Sequence, residues 1–335
     1  MNMSSNEIER LLTTSDPEAV DDLFARASSE RDRVYGRRVF MRGLIEISNH
    51  CKNDCLYCGI RRSNSGSRRY RLTKEQILDC CRTGHALGFR TFVLQGGEDG
   101  WFTDEVMCDI VAAIRSRFPD CAITLSLGER GRESFRRLRE AGADRYLLRH
   151  ETADPAHYAM LHPSEMSFEH RMQCLHDLRD LGYQVGCGFM VGSPGQTLGT
   201  LMKDLQFIYD FRPEMVGIGP FIPADGTPFA NCKAGSVEMT LRLLAVIRLL
   251  HPHVLLPATS ALGTLAPNGR ERAVQAGANV VMPNLSPQDT RALYSIYNNK
   301  LATGSEAAES AADLRARMRA IGYEVPIERG DFCGE

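Results

Sequence analysis

Short apolar runs rich in β-branched residues recur at 44–48, 91–95, 122–127, 145–148, 184–190, 215–220, 254–257 and 279–282. Each is followed by a small-residue loop and a longer segment with apolar positions at helical spacing. These segments run from Thr73 onward and over 104–118, 133–141, 167–182, 197–211, 237–251, 269–276 and 287–297. Gly88, Gly142, Gly182 and Gly277 stand just past four of them, where a left-handed cap ends a helix. Strands alternating with helices predict a parallel sheet, and eight such units predict closure into a (β/α)₈ TIM barrel. An open doubly wound sheet is the competing arrangement. Before the barrel, Ser15-Asp16-Pro17-Glu18 offers a cap residue, a proline and an early acid, a helix start. The expected layout is a helical extension over 1–40, the barrel over 41–300 and a helical tail over 301–335, Ala/Glu/Arg-rich at 301–320.

Chemistry in a barrel sits in the loops after the strand C-termini. The first such loop, His50 to Gly59, carries Cys51, Cys55 and Cys58 in C-x₃-C-x₂-C spacing. A structural zinc site takes four protein ligands and an ordinary iron–sulfur cluster four cysteines. Three thiols with no CxxC partner nearby fit a 4Fe–4S cluster that keeps one iron open; a zinc knuckle or a chance group of buried cysteines is the plainer alternative. Tyr57 is placed to shield such a cluster or to lie near a cofactor base. The second loop, Gln95-Gly96-Gly97-Glu98-Asp99, exposes backbone for close approach to a ligand, and its acids suit a cation. Ser126 and Glu129 end the third run, either on polar duty or as caps of the next helix. After the fourth come Arg149, His150 and Glu151, costly to bury unless they hold ligands or one another. Arg149 suits an anion through its bidentate fork, and Glu151 a ribose or ammonium group. Arg145 is expected in a salt bridge. The Gly-rich stretch 186–197 lacks the lysine of a phosphate-binding loop, which excludes nucleotide hydrolysis. In the sixth run, the backbone from Met215 to Gly217 is a candidate cavity wall. Thr259 and Ser260 bring two hydroxyls to the barrel mouth, suited to a small anion such as cyanide or a carboxylate. Tyr294 and Tyr297 either close over the cavity or only pack.

Composition narrows the class. The 335 residues are 43% hydrophobic and 24% charged, with a net charge of −2, which disfavours a nucleic-acid binder relying on bulk electrostatics. The start shows no signal-peptide pattern and no apolar run approaches bilayer-spanning length, so no membrane association is expected. Eleven cysteines, an odd number, in a long chain point to reduced thiols in the cytoplasm.

The cysteine spacing is the signature of the radical S-adenosylmethionine (SAM) superfamily, which the chain resembles from this loop onward. That resemblance implies a radical SAM barrel, a 4Fe–4S cluster on Cys51, Cys55 and Cys58, and SAM chelating the open iron. It implies a 5′-deoxyadenosyl radical formed with one electron from an external donor. By the same resemblance Gly96, Gly97 and Glu98 bind the SAM amino group, Arg171 its carboxylate, and the backbone at Met215 its adenine. Tyr57, Ser126 and Glu151 complete the cofactor site. The stretches 93–99, 144–152, 215–223 and 276–284 resemble the iron–iron hydrogenase maturase family HydE. Membership there implies an iron–cyanide–carbonyl–cysteine substrate, with Arg149, Thr259 and Ser260 holding its anionic groups. It also implies the partner maturases HydG and HydF in assembly of the diiron subcluster of the H-cluster. Biotin synthase and methylornithine synthase share several of these stretches and stand as alternatives; Cys121 and Cys187, on strands, keep open an auxiliary cluster of the biotin synthase kind. A non-catalytic iron–sulfur electron-transfer protein is the reading from another class. The tail holds only Cys333, so a second cluster on C-terminal cysteines is not expected.

Overall fold

A computed structural model describes residues 3–301 and 308–334. Six parallel strands follow one another in sequence order: Gly43–Ser48, Thr91–Gly96, Ala122–Ser126, Arg145–Leu147, Gln184–Cys187 and Met215–Val216. The ring then closes through short pairings: Met215 with Leu255, Pro257 with Val280, Leu44 with Asn284, and Phe40–Met41 alongside Val280–Val281. All are parallel. The expected (β/α)₈ TIM barrel forms, and the open sheet is excluded. The closing strands are short because the chain there only completes the ring.

Alternation along each strand sets the two sides of the wall. Ile45, Ile47, Phe92, Leu94, Ile123, Leu125, Val185 and Val216 are buried in the large apolar core with the surrounding helices, while Leu44 and Glu46 face a central cavity. The helix-ending glycines Gly88, Gly142, Gly182 and Gly277 all carry positive φ. Two helices precede the barrel, Ser5–Thr13 and Pro17–Tyr35, the second capped by the Asp16 carboxylate accepting from Glu18 N–H. The longer one packs along the helix Val237–Leu250.

The fifth run, read as continuous to 190, is interrupted. Gly188 sits at φ 151°, and a Cβ there would collide with the Gly217 carbonyl oxygen. The strand resumes as Met190–Val191 beside Gly219–Pro220. The helix expected over 287–297 shrinks to Gln288–Arg291. Residues 293–300 run instead as a strap over the barrel mouth. Gly59 N–H donates to Ile296 O (2.9 Å), Asn298 N–H to Pro223 O (2.9 Å), and Ser260 Oγ lies 2.9 Å from Tyr297 Oη. Of the 301–320 stretch, 302–307 lie outside the described residues, and a helix spans Ala311–Ala320. The tail beyond it crosses the barrel's bottom. Thr91 Oγ1 donates to Arg329 O (2.7 Å), and Arg145 pairs with Asp331 at 2.5 Å. Among the described residues no helix is long and apolar enough to cross a membrane.

Candidate active site

The strap above and the tail below leave a cavity of about 330 Å³ inside the barrel. Cys51, Cys55 and Cys58 all line it, and none of the eleven cysteines is in a disulfide. Their loop is held from several sides. The Asp54 carboxylate takes a fork from Arg61 (2.8 and 2.7 Å), and Arg69 donates to the carbonyls of Asn49 (2.5 Å) and Ile60 (2.7 Å). Lys52 N–H donates to Glu98 O at 2.9 Å, tying the cysteine loop to the second-strand loop. The two loops meet at Gly97, where a Cβ would collide with the His50 carbonyl oxygen and lie 2.8 Å from Cys51 Cβ.

Burial pushes the Cys51 and Cys55 thiols up, and Cys58 up to about 12. Three half-buried thiols this reluctant to ionise need a bound cation to become thiolates together, and an iron cluster supplies that charge. The donor set therefore fits the cluster. Glu98 accepts from Glu129 N–H (2.9 Å) and pairs with Lys52 (3.1 Å), so its carboxylate is already engaged; Gly96 and Gly97 offer the cavity backbone instead.

Arg171 enters from the helix Phe168–Asp180 and is buried. Its Nε donates to Glu129 Oε1 and its Nη1 to Arg149 O, both at 2.5 Å. Burial opposes its charge, but Tyr158 and Glu129 outweigh burial and raise its pKa, so it stays a cation. Tyr57 stands edge-on to His162, ring centroids 5.5 Å apart. Burial pushes His162 down to about 3, so it is neutral at pH 7. Its Nδ1–H donates to Tyr158 O (3.0 Å), leaving Nε2 to accept from Tyr57 Oη (3.3 Å). Glu151 sits at φ 65°, a sparsely populated conformation for a residue with a side chain, held by its N–H to Gly188 O (3.0 Å). Arg149 Nη2 lies 3.1 Å from Glu151 Oε2.

The cavity brings together Cys51, Cys55, Cys58, Tyr57, Gly96, Gly97, Glu98, Ser126, Arg149, Glu151, Arg171, Thr259 and Ser260. Met215 is the exception. Its sulfur lies 2.8 Å from Arg42 Nη1 at the bottom of the barrel, among Tyr35, Phe40 and Leu255, and Gly217 takes the expected place at the cavity wall. Arg145 also lies at the bottom, paired with the tail. His150 is buried 3.4 Å from Asp204, outside the cavity. Cys121 and Cys187 sit in the core outside the barrel wall, not in the cavity, so they offer no auxiliary cluster there. Two charged lining residues were not singled out from the sequence. Glu46 is an acid inside an apolar strand, a legible signal of an inward polar group. Lys300 follows the strap and carries no sequence signal of its own.

The radical SAM superfamily model matches residues 45–208. The chain is 46% identical to the [FeFe] hydrogenase maturase subunit HydE of Thermotoga maritima over 294 residues, 88% of this chain and 84% of that relative. It is 29% identical to the 3-methylornithine synthase of Methanosarcina acetivorans over 86% of this chain and 81% of that one. A crystal structure of methylornithine synthase superposes with a TM-score of 0.85 at 26% identity, covering 97% and 94% of the two chains. On its cysteine loop, its barrel and this identity, the chain belongs to the HydE family within the radical SAM superfamily, whose enzymes use a 4Fe–4S cluster and S-adenosylmethionine.

Proposed function

We propose that this protein is a HydE-type maturase that acts in assembly of the diiron site of [FeFe]-hydrogenase. Its substrate would be an iron–cyanide–carbonyl–cysteine species received from HydG and, once processed, passed toward HydF. A 4Fe–4S cluster held by Cys51, Cys55 and Cys58, with SAM on its open iron, would supply reductive cleavage of the sulfonium to methionine and a 5′-deoxyadenosyl radical, the electron coming from an external donor.

The chain's residues fall into two groups around that chemistry. Cys51, Cys55 and Cys58 would hold three irons, and the Gly96–Gly97 backbone, Ser126, Glu151 and Arg171 the SAM. Arg171 supplies a fixed positive charge for a carboxylate, already oriented by Glu129. Tyr57, locked to His162, covers one side of the site. Arg149, Thr259 and Ser260 would bind the substrate's anionic ends, while the strap and tail keep water out.

One observation carries this reading. Two buried polar atoms without a partner among the described residues, Arg149 Nε and Thr259 Oγ1, and two ion pairs with donors or acceptors to spare, Lys300–Glu46 (2.6 Å) and Arg149–Glu151 (3.1 Å), belong to side chains lining this one cavity. Buried polar groups are normally satisfied, so this concentration marks a site completed by a polar, charged ligand. The free cysteines fit a reducing, cytoplasmic setting.

The test is anaerobic. Reconstituted, dithionite-reduced protein should show one 4Fe–4S EPR signal that shifts with SAM and disappears in Cys51→Ala, and should form 5′-deoxyadenosine. Added to extracts lacking their own HydE, it should restore hydrogenase activity. Cluster chemistry without restoration would remove the maturase role. Formation of 3-methylornithine would then favour the second reading, carbon-skeleton chemistry, which the methylornithine synthase likeness across nearly the whole chain supports.

A further inference from the structure

Glu46 is completely buried at the inner face of the first strand, in register with Gln95. Its carboxylate is built in place. Asn284 Nδ2 donates to Oε2 (2.8 Å), Ser286 Oγ accepts from the Glu46 N–H (2.8 Å), and Tyr70 Oη donates to the Glu46 carbonyl (2.8 Å). Lys300 reaches in from the end of the strap, its side chain 8% exposed, and places Nζ 2.6 Å from Glu46 Oε1. The ammonium also lies 5.3 Å from the centre of the Tyr294 ring. A buried lysine–glutamate pair is weak evidence for stability, because desolvation offsets its attraction. An ammonium has three N–H donors. Beyond Glu46, Lys300 has no polar partner among the described residues, yet it lines the same cavity as the cluster thiols.

Arg149 follows the fourth strand, three positions round the ring from Glu46, so the two cation–carboxylate pairs stand on different walls of the cavity. We propose that Lys300 is a substrate-anchoring residue whose ammonium, held by Glu46, binds a carboxylate on the substrate across the cavity from Arg149. This rests on the reading above, in which the substrate carries a cysteine moiety and hence a free carboxylate. Glu46 acts as the positioning residue. It fixes where the ammonium stands and leaves the remaining donors for the ligand.

The probe is S-methyl-L-cysteine, compared with its methyl ester, titrated calorimetrically into cluster-loaded protein with SAM present. A charge-assisted hydrogen bond in a desolvated site corresponds to about 10- to 100-fold in affinity. The parent protein should bind the acid tighter than the ester by about that factor. Lys300→Met should erase the difference, Lys300→Arg should keep part of it, and Glu46→Gln should shrink it. Equal binding of acid and ester by the parent protein overturns the proposal with no variant needed. So does no binding of either, or an undiminished difference in Lys300→Met. Hydrogenase restoration by the parent protein is scored separately. Failure there with the acid–ester difference intact removes the maturase role and leaves Lys300 as a carboxylate anchor.

Discussion

Gly97 offers the sharpest test of how the cofactor site is built. The cysteine loop and the second-strand loop are pinned together by Lys52 N–H to Glu98 O (2.9 Å) and Gly97 N–H to Ser48 O (3.1 Å). In Gly97→Ala the new methyl would stand 2.8 Å from Cys51 Cβ and collide with the His50 carbonyl. An ordinary carbon–carbon contact is about 3.5 Å, so the Cys51 contact alone parts the loops by about 0.7 Å, the His50 carbonyl demands more, and both neighbours are stiff. Overpacking of this kind costs about 1–3 kcal/mol of stability. The larger effect falls on the chemistry. Cys51 is the residue pushed, and misplacement of about 1 Å costs about 10²-fold in rate. Gly100→Ala in the same loop is the control, because a Cβ there meets nothing within 4 Å. The assays are thermal unfolding, iron bound per chain, and 5′-deoxyadenosine formed by the reduced, reconstituted protein. Gly97→Ala should lose stability, hold less iron and form product about 10²-fold more slowly; Gly100→Ala should match the parent in all three. Two variants that behave alike would refute the claim that the loops are in contact at Gly97.

Three more outcomes follow from the same geometry. Thr259→Val removes a hydroxyl with no protein partner among the described residues, so the melting temperature should hold or rise while substrate-dependent turnover falls by about tenfold; a lower melting temperature with normal turnover would refute the assignment. Arg171→Leu strands Glu129 in a buried site and should cost about 3–5 kcal/mol in denaturant unfolding, with Glu129→Gln in the same chain recovering part of it; a Leu variant as stable as the parent contradicts the pairing. His162, with its pKa held down at about 3, takes up a proton first in the unfolded chain as pH falls below about 6.5, so stability drops by up to about 1.4 kcal/mol per pH unit from there toward 3. His162→Gln should flatten that part of the stability–pH profile, and an unchanged slope would show that His162 is not the group responsible.

The barrel was legible because its strands alternate β-branched runs with amphipathic helices, and the loop rule then located twelve of the site's residues without reference to depth, Arg171 on a helix coming from the family resemblance instead. Depth is where the sequence misled. Met215 opens the sixth strand and Gly217 directly follows its end, and two residues of extended chain span about 6.6 Å. That step separates the bottom of the barrel, where Met215 meets Arg42, from the cavity wall at Gly217. The strap shows a second limit. Leu293, Tyr294, Ile296 and Tyr297 have a spacing compatible with a helix, but Tyr294, Ile296 and Tyr297 line the cavity and the backbone of 296–298 bonds to the loops around it. Tertiary partners, invisible in a local pattern, override the helical period. Lys300 was hidden for the same reason, since nothing near it in sequence reveals that Glu46, more than 250 positions earlier, waits inside the barrel.

The price of this arrangement explains why its two ends are closed so differently. Each unsatisfied buried polar atom costs about 1–3 kcal/mol, and a domain's net stability is only about 5–15 kcal/mol. Arg149 Nε and Thr259 Oγ1, unpaired at one cavity wall, and two ion pairs whose desolvation offsets their attraction are therefore a cost that the rest of the barrel offsets until ligands satisfy them. The bottom supplies the firmness. There Arg145 is paired with Asp331 and bonded to Gln184 Oε1 (2.9 Å), and Arg42 to Gly330 O (3.4 Å), contacts that need no ligand. The top is joined by a few hydrogen bonds from the strap to the cysteine loop, the sixth-strand loop and the seventh-strand loop, and by the Lys300–Glu46 pair to the first strand. Isolated contacts of this kind hold the mouth in shape without sealing it by a packed core. The cavity thus keeps polar groups open at the end where SAM and substrate would arrive, and bound ligands would satisfy them.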